Sequence, residues 1–157
     1  MKHPLTIAFT GTRQGMTNDQ KSSVFALLTD LMPDFTLHGC CRGADVDFND
    51  LVLRHRTDLN PNVRIHGHPS ESTYNSDDQC SDLCEGMDYT APMGKPLSRN
   101  ALMVKNAELV IGCPPNYENV LRSGTWSTIR KAKRKDKVII VFPDGTLEKH
   151  IDRFMKG

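Results

Sequence analysis

Apolar positions along this chain alternate between two patterns. Unbroken apolar runs, PLTIAF (4–9), FTLH (35–38), NVRIH (62–66), ELVIGC (108–113) and KVIIVF (137–142), have the length of buried strands. Between them apolar residues recur at helical spacing. In 17–32 Val24, Leu27, Leu28 and Leu31 share one face, Thr17 and Gln20 are spaced as a capping box, and Pro33 ends the run. Segment 45–55 carries Phe48, Leu51 and Val52 as a stripe, and 97–107 and 123–135 read as two further helices. Residues 146–156, with Leu147, Ile151, Phe154 and Met155, read as a last helix. The stretch of about 67–96 is polar and has no period that assigns it an element.

Strands apolar at both alternating positions are covered on both faces, which requires a mostly parallel sheet with helices on either side. The βα order therefore predicts an α/β chain: a single Rossmann-like, doubly wound domain over 1–157, with about five strands and the irregular segment as an insertion.

Three of the apolar runs end in small, polar, glycine-containing loops. LTIAF leads into TGTRQG, FTLH into GCCRGAD, and LVIGC, through a longer loop, into RSGTW. In a doubly wound sheet ligands sit outside the carboxyl ends of the strands, where these loops converge. Glycine lets backbone approach a ligand, and a helix N-terminus offers unpaired N–H groups and partial positive charge. The candidate ligand-binding residues are Thr10, Gly11, Thr12 and Arg13 after the first strand, and Gly39, Arg42, Gly43, Ala44 and Asp45 after the second. Arg99 and Asn100 join them from the third helix, and Ser123, Gly124 and Thr125 from the fourth. Arginines among N–H groups suit an anion. Each loop alone also reads as an ordinary βα turn; their coincidence at one sheet edge points to a pocket.

Charge narrows the ligand class. Twenty Lys and Arg against nineteen Asp and Glu give a net charge of +1, which supplies no electrostatic argument for nucleic acid as partner. The basic run RKAKRKDK (130–137) reads as a solvated face at a helix C-terminus. No 18-residue apolar stretch is present and the N-terminus lacks a signal-peptide pattern, so the expectation is a cytoplasmic protein without a membrane partner. Five cysteines, an odd number, are expected as reduced thiols, and adjacent Cys40 and Cys41 to point in different directions. HGHP (66–69) and CSDLC (80–84) lack the spacing of a structural zinc site, so neither metal nor cofactor is expected.

FTGTR, GCCRGAD, PLSRNALMVKNAELVIG and SGTWSTIRKAKRKDKVIIVFPDG, in this order, resemble the SLOG superfamily and in particular its YspA-like branch. The resemblance covers nearly the whole chain outside about 67–92. It implies a Rossmann-like fold that binds a nucleotide or nucleotide-derived, signalling-type ligand, as sensor or sequestering protein, and a homo-oligomer. More distantly similar are the Lonely Guy phosphoribohydrolases, which cleave the N-glycosidic bond of nucleoside monophosphates. Their PGGxGTxxE motif is matched here by Ser123, Gly124 and Thr125 for the phosphate, with Arg99 resembling the family's arginine; Thr128 stands at the glutamate position. A hydroxyl cannot supply the carboxylate chemistry, so the resemblance implies binding ahead of catalysis. A nucleotide N-glycosidase is the alternative, with Asp45, Asp47, Glu71, Asp77, Asp78, Glu85, Asp88 and Glu118 as other carboxylates. Tyr117 and Trp126 are candidates for stacking on a base, Trp126 reading first as core.

Overall fold

The structure, a computed structural model, describes residues 4–70 and 84–152. Its elements are β1 (Thr6–Gly11), α1 (Asn18–Leu31), β2 (Phe35–His38), α2 (Ala44–Asp58), β3 (Arg64–Gly67), β4 (Tyr89–Thr90), α3 (Pro96–Asn106), β5 (Leu109–Cys113), α4 (Gly124–Arg134), β6 (Lys137–Val141) and β7 (Leu147–Ile151). The strands form one sheet in the order β4-β3-β2-β1-β5-β6-β7. All pairs are parallel except β6 with β7. This is the Rossmann-like α/β fold expected from the sequence, with seven strands rather than about five.

From β1 the chain winds outward through β2 and β3 to β4, then crosses back to β5 on the other side of β1 and continues outward. Crossovers between parallel strands are right-handed, so reversing the direction of winding moves the helices to the other face. Val24, Leu27 and Leu28 of α1 and Phe48 and Val52 of α2 pack with Ile7, Phe9 and Ile111 on one side. Met103 and Val104 of α3 and Trp126 and Ile129 of α4 pack with Ala8, Val110 and Ile140 on the other. Phe9 and Phe48 stack with ring centroids 4.4 Å apart.

The α1 capping box forms as its spacing requires: Gln20 N donates to Thr17 Oγ1 and Thr17 N to Gln20 Oε1, each at 3.0 Å. Gln20 also reaches tertiary partners. Its Nε2 donates to the carbonyls of Pro114 and Val141, fixing the start of α1 against the ends of β5 and β6.

The C-terminal segment corrects the expectation of a last helix over 146–156. Leu147–Ile151 is an antiparallel edge strand on β6, with Val138 opposite His150 and Ile140 opposite Glu148. Leu147 and Ile151 are four apart, a spacing that fits a helical face and a strand face equally. The turn decides between them. Gly145 has φ +85°, its N–H donates to Phe142 O, Phe142 N donates to Thr146 O, and Asp144 Oδ1 accepts from the Thr146 N–H and hydroxyl. That hairpin returns the chain along an otherwise unpaired edge of β6. Phe154 and Met155 lie outside the described residues.

The unassigned stretch also contains pairing. Gly67 ends β3, and Tyr89 and Thr90 add β4 to the edge beside His66 and Gly67. Among the described residues no helix is long and apolar enough to cross a membrane. Cys41, Cys84 and Cys113 are in no disulfide. Cys40 is disulfide-bonded, which corrects the expectation of reduced thiols throughout; an odd count requires only that at least one sulfur stay out of a disulfide.

Candidate functional site

Between β1 and β5, where the winding reverses, the loops leave to opposite faces and a cleft of about 360 Å³ opens at the carboxyl edge of the sheet. Eleven of the fourteen residues singled out in the sequence line it: Thr10, Gly11, Thr12, Arg13, Gly39, Asp45, Arg99, Asn100, Ser123, Gly124 and Thr125. Phe9, Cys41, Pro96 and Met103 complete the wall. A cavity of about 460 Å³ lies elsewhere, over Phe35, Leu37, His66, His68, Tyr89 and Leu102. It is larger but rests on the flank of β2–β4, with mostly apolar and aromatic walls, and lacks the helix N-terminus and arginines that converge on the first.

Gly43 and Ala44 serve the site from behind, and neither is in its wall. Gly43 caps α2 with φ +87°, and a Cβ there would overlap the backbone of Arg13. Ala44 is fully buried, its N–H donates to Thr12 O at 2.9 Å, and its methyl fills the space beside Gly11. The two residues clamp the β1 and β2 loops together. Arg42 is exposed and outside the cleft wall. Adjacent Cys40 and Cys41 do diverge: Cys40 is fully buried, Cys41 faces the cleft, and Cys40 takes a left-handed φ of +59° between them.

At α4 the Ser123 hydroxyl accepts from Trp126 N at 3.2 Å and caps the helix. The N–H groups of Gly124 and Thr125, in the first turn, have no hydrogen-bond partner among the described residues. A side chain at Gly124 would meet nothing within 4 Å, and both residues line the cleft. Lys131, Lys133 and Arg134 lie in the last turn, where cations complement the helix dipole.

Arg99 comes from α3 and spans two strand ends. Its Nη1 donates to Gly39 O and His68 O, each at 2.8 Å, while its Nε is buried without a partner. Asp45, 7% exposed, is held from the other side: its Oδ2 accepts from Cys41 N at 3.0 Å. Burial raises the Asp45 carboxyl above the ordinary range, against the opposing pull of His38, the Cys41 N–H, Arg99 and the Gly39 N–H. Behind it His38 is fully buried, with Nε2 2.9 Å from Asn49 Oδ1 and Nδ1 accepting from Cys40 N at 3.1 Å. An Nδ1 that accepts leaves the proton on Nε2, which makes the ring neutral. Burial accordingly lowers its pKa.

The remaining candidates lie away from the cleft. Asp47 accepts from Met16 N at 2.8 Å and supports the β1–α1 loop. Asp88 pairs with Arg56 and accepts from Ile65 N. Glu85 and Glu118 are exposed and absent from the cleft wall; Glu71, Asp77, Asp78 and Cys80 lie outside the described residues. Trp126 is core, 5% exposed, with Nε1 donating to Asn116 Oδ1 at 2.8 Å. Tyr117 stacks on Phe142, its ring centroid 5.5 Å away. Thr128 is 1% exposed and donates to Gly124 O at 3.1 Å within its own helix, so no carboxylate occupies that position and the hydroxyl is already engaged. No group of three or more potential metal ligands occurs among the described residues.

No known family model matches the chain, and no curated protein matches it at a significant level. The fold and the cleft define a Rossmann-like α/β chain with a polar crevice at its switch point.

Proposed function

We propose that this chain binds a nucleotide or nucleotide-derived ligand in the cleft at the switch point, acting as a sensor or sequestering protein. The observation that carries this reading is the pair of N–H groups at Gly124 and Thr125 without a partner among the described residues, on a helix start that lines the same crevice as Arg13 and Arg99. Aligned N–H groups, a helix dipole and guanidinium groups together favour a phosphate. The SLOG-like blocks agree with it, because the residues that the resemblance assigns to phosphate, Ser123, Gly124 and Thr125, are those at this helix start.

Binding is favoured over glycosidic cleavage because Thr128, at the glutamate position, is buried and bonded to Gly124 O. A homo-oligomer belongs to the same proposal, and light scattering tests it separately. The test of function is to incubate pure protein with nucleoside monophosphates, NAD and cyclic nucleotides, following thermal stabilisation and release of free base by chromatography. Stabilisation without base release is expected. Base release at an enzymatic rate would replace the proposal with the N-glycosidase reading, and no stabilisation by any phosphate-bearing compound would remove both.

A further inference from the structure

On one sheet face α3 and α4 pack over Ala8, Val110 and Ile140, in β1, β5 and β6. Towards β2–β4 the same face opens into the cavity of about 460 Å³, which Phe35, Leu37, His66 and Tyr89 line from the strands and Leu102 and Asn106 from α3. It shares no lining residue with the cleft.

The strand period brings both histidines of HGHP to this cavity. His66 lies in β3, and His68 continues the ladder, its N–H donating to His38 O at 2.8 Å, so the two residues share a face. The His66 ring stands between those of Phe35 and Tyr89, with centroids 5.4 and 5.3 Å away and interplanar angles of 62° and 61°. His68 is 7% exposed. The rings of His38 and His55 bond to asparagines, whereas those of His66 and His68 have no hydrogen-bond partner among the described residues. Burial lowers the pKa of both, that of His68 to about 4, so each is neutral at pH 7 and offers one donor and one acceptor.

These walls restrict the occupant. No charged side chain lines the cavity among the described residues, so an ionic ligand would lose hydration without gaining a counter-charge. A purely apolar ligand would leave the His68 nitrogens unpaired. A flat protein surface would rest on the rim, because Tyr89 and Leu102 are 51% and 46% exposed while His68 is recessed. A small planar ring reaches past them, packs against the aromatic row and bonds an imidazole. Mostly apolar walls, a few polar groups and this volume are the features of small-molecule sites, roughly 300–1,000 Å³ in size.

We infer that this cavity is a second binding site, separate from the cleft, for a planar, uncharged aromatic heterocycle that hydrogen-bonds to His68. It stands whether or not the cleft binds a phosphate.

Benzimidazole, neutral at pH 7 with one ring donor and one ring acceptor, is the probe. Its N,N′-dimethylated cation, of the same ring shape but with fixed charge and no donor, is the control. NMR titration of the protein carrying isotope-labelled histidine reads the ring nitrogens directly. Benzimidazole should shift those of His68, the cation should bind about ten-fold or more weakly, and saturating inorganic phosphate should leave the titration unchanged. His68→Phe, which keeps a ring, should weaken benzimidazole about three- to ten-fold, the worth of one neutral hydrogen bond. Leu102→Trp, at a half-exposed position, should fill the cavity and abolish binding; thermal melting reports whether each variant is folded. Should His68→Phe fail to fold, the wild-type comparison and Leu102→Trp decide. Equal affinity for the neutral and charged rings, or displacement of benzimidazole by phosphate, overturns the site. So does absence of benzimidazole binding, and a sedimentation coefficient that then falls in Leu102→Trp would give the face to a second copy of the chain.

Discussion

Gly39 and Arg99 share one space: a Cβ on Gly39 would overlap Arg99 Nη1, and that same nitrogen donates to the Gly39 carbonyl at 2.8 Å. Glycine is required here to seat a guanidinium against the end of β2, and no positive φ is involved. Gly39→Ala should therefore destabilise the protein by about 1–2 kcal/mol by displacing Arg99 from two carbonyls. In an Arg99→Ala background most of that added cost should disappear, because only Asp45 Oδ2, 3.1 Å from such a Cβ, then remains close. Urea unfolding of the two single variants and the double variant measures this coupling. Additive costs would mean that the two residues do not compete for this volume.

Gly43→Val should unfold the site and weaken the whole fold. Besides its left-handed φ of +87°, any side chain there meets the Arg13 backbone, which cannot move aside as a flexible side chain can. Strained φ and overpacking together cost about 3 kcal/mol or more. A large drop in denaturation midpoint is expected, so loss of ligand binding in this variant would report loss of structure. An unchanged midpoint would contradict the clamp.

Thr128→Glu should be destabilising rather than a gain of function. A carboxylate placed at a position 1% exposed, where the hydroxyl now bonds its own helix's Gly124 O, would be buried with its charge. The expected loss is several kcal/mol, on the order of 3–5, at pH 7. Protonation relieves part of it. The melting temperature of the variant, relative to wild type, should recover as pH is lowered towards 4.5.

His68 should make the fold acid-sensitive. Burial, followed by the neighbouring His66, Arg99 and His38, pushes its pKa down to about 4 from an ordinary 6.5. A histidine depressed in the folded state takes up its proton first in the unfolded chain, so its contribution is complete above about pH 6.5. It declines as pH falls from 6.5 towards 4. His38, His55 and His66 are lowered by burial in the same direction, while the raised Asp45 carboxyl acts oppositely. Melting temperature should fall between pH 7 and pH 5, and His68→Asn should flatten that dependence. A wild-type profile flat across this range would refute the assignment.

Much of this architecture was legible because strands buried on both faces and helices apolar on one stripe have different periods. The α1 capping box was readable for a similar reason, since Thr17 and Gln20 act within one turn. Leu147 and Ile151 were ambiguous because a spacing of four fits both periods, and the local turn at Pro143–Thr146 held the deciding signal. β4, two residues long, is too short to have a period at all.

At the cleft, the sequence by itself determined which loops carry glycine, hydroxyl and arginine, and the strand order predicted from it places those loops on one edge. Eleven of its fourteen candidates line that edge for this reason. Only the tertiary structure decided what each residue does there. Gly39 and Arg99 are sixty residues apart and Gly43 meets Arg13 across two loops, so whether a glycine faces a ligand, seats a guanidinium or lets two backbones touch depends on distances that no local spacing encodes.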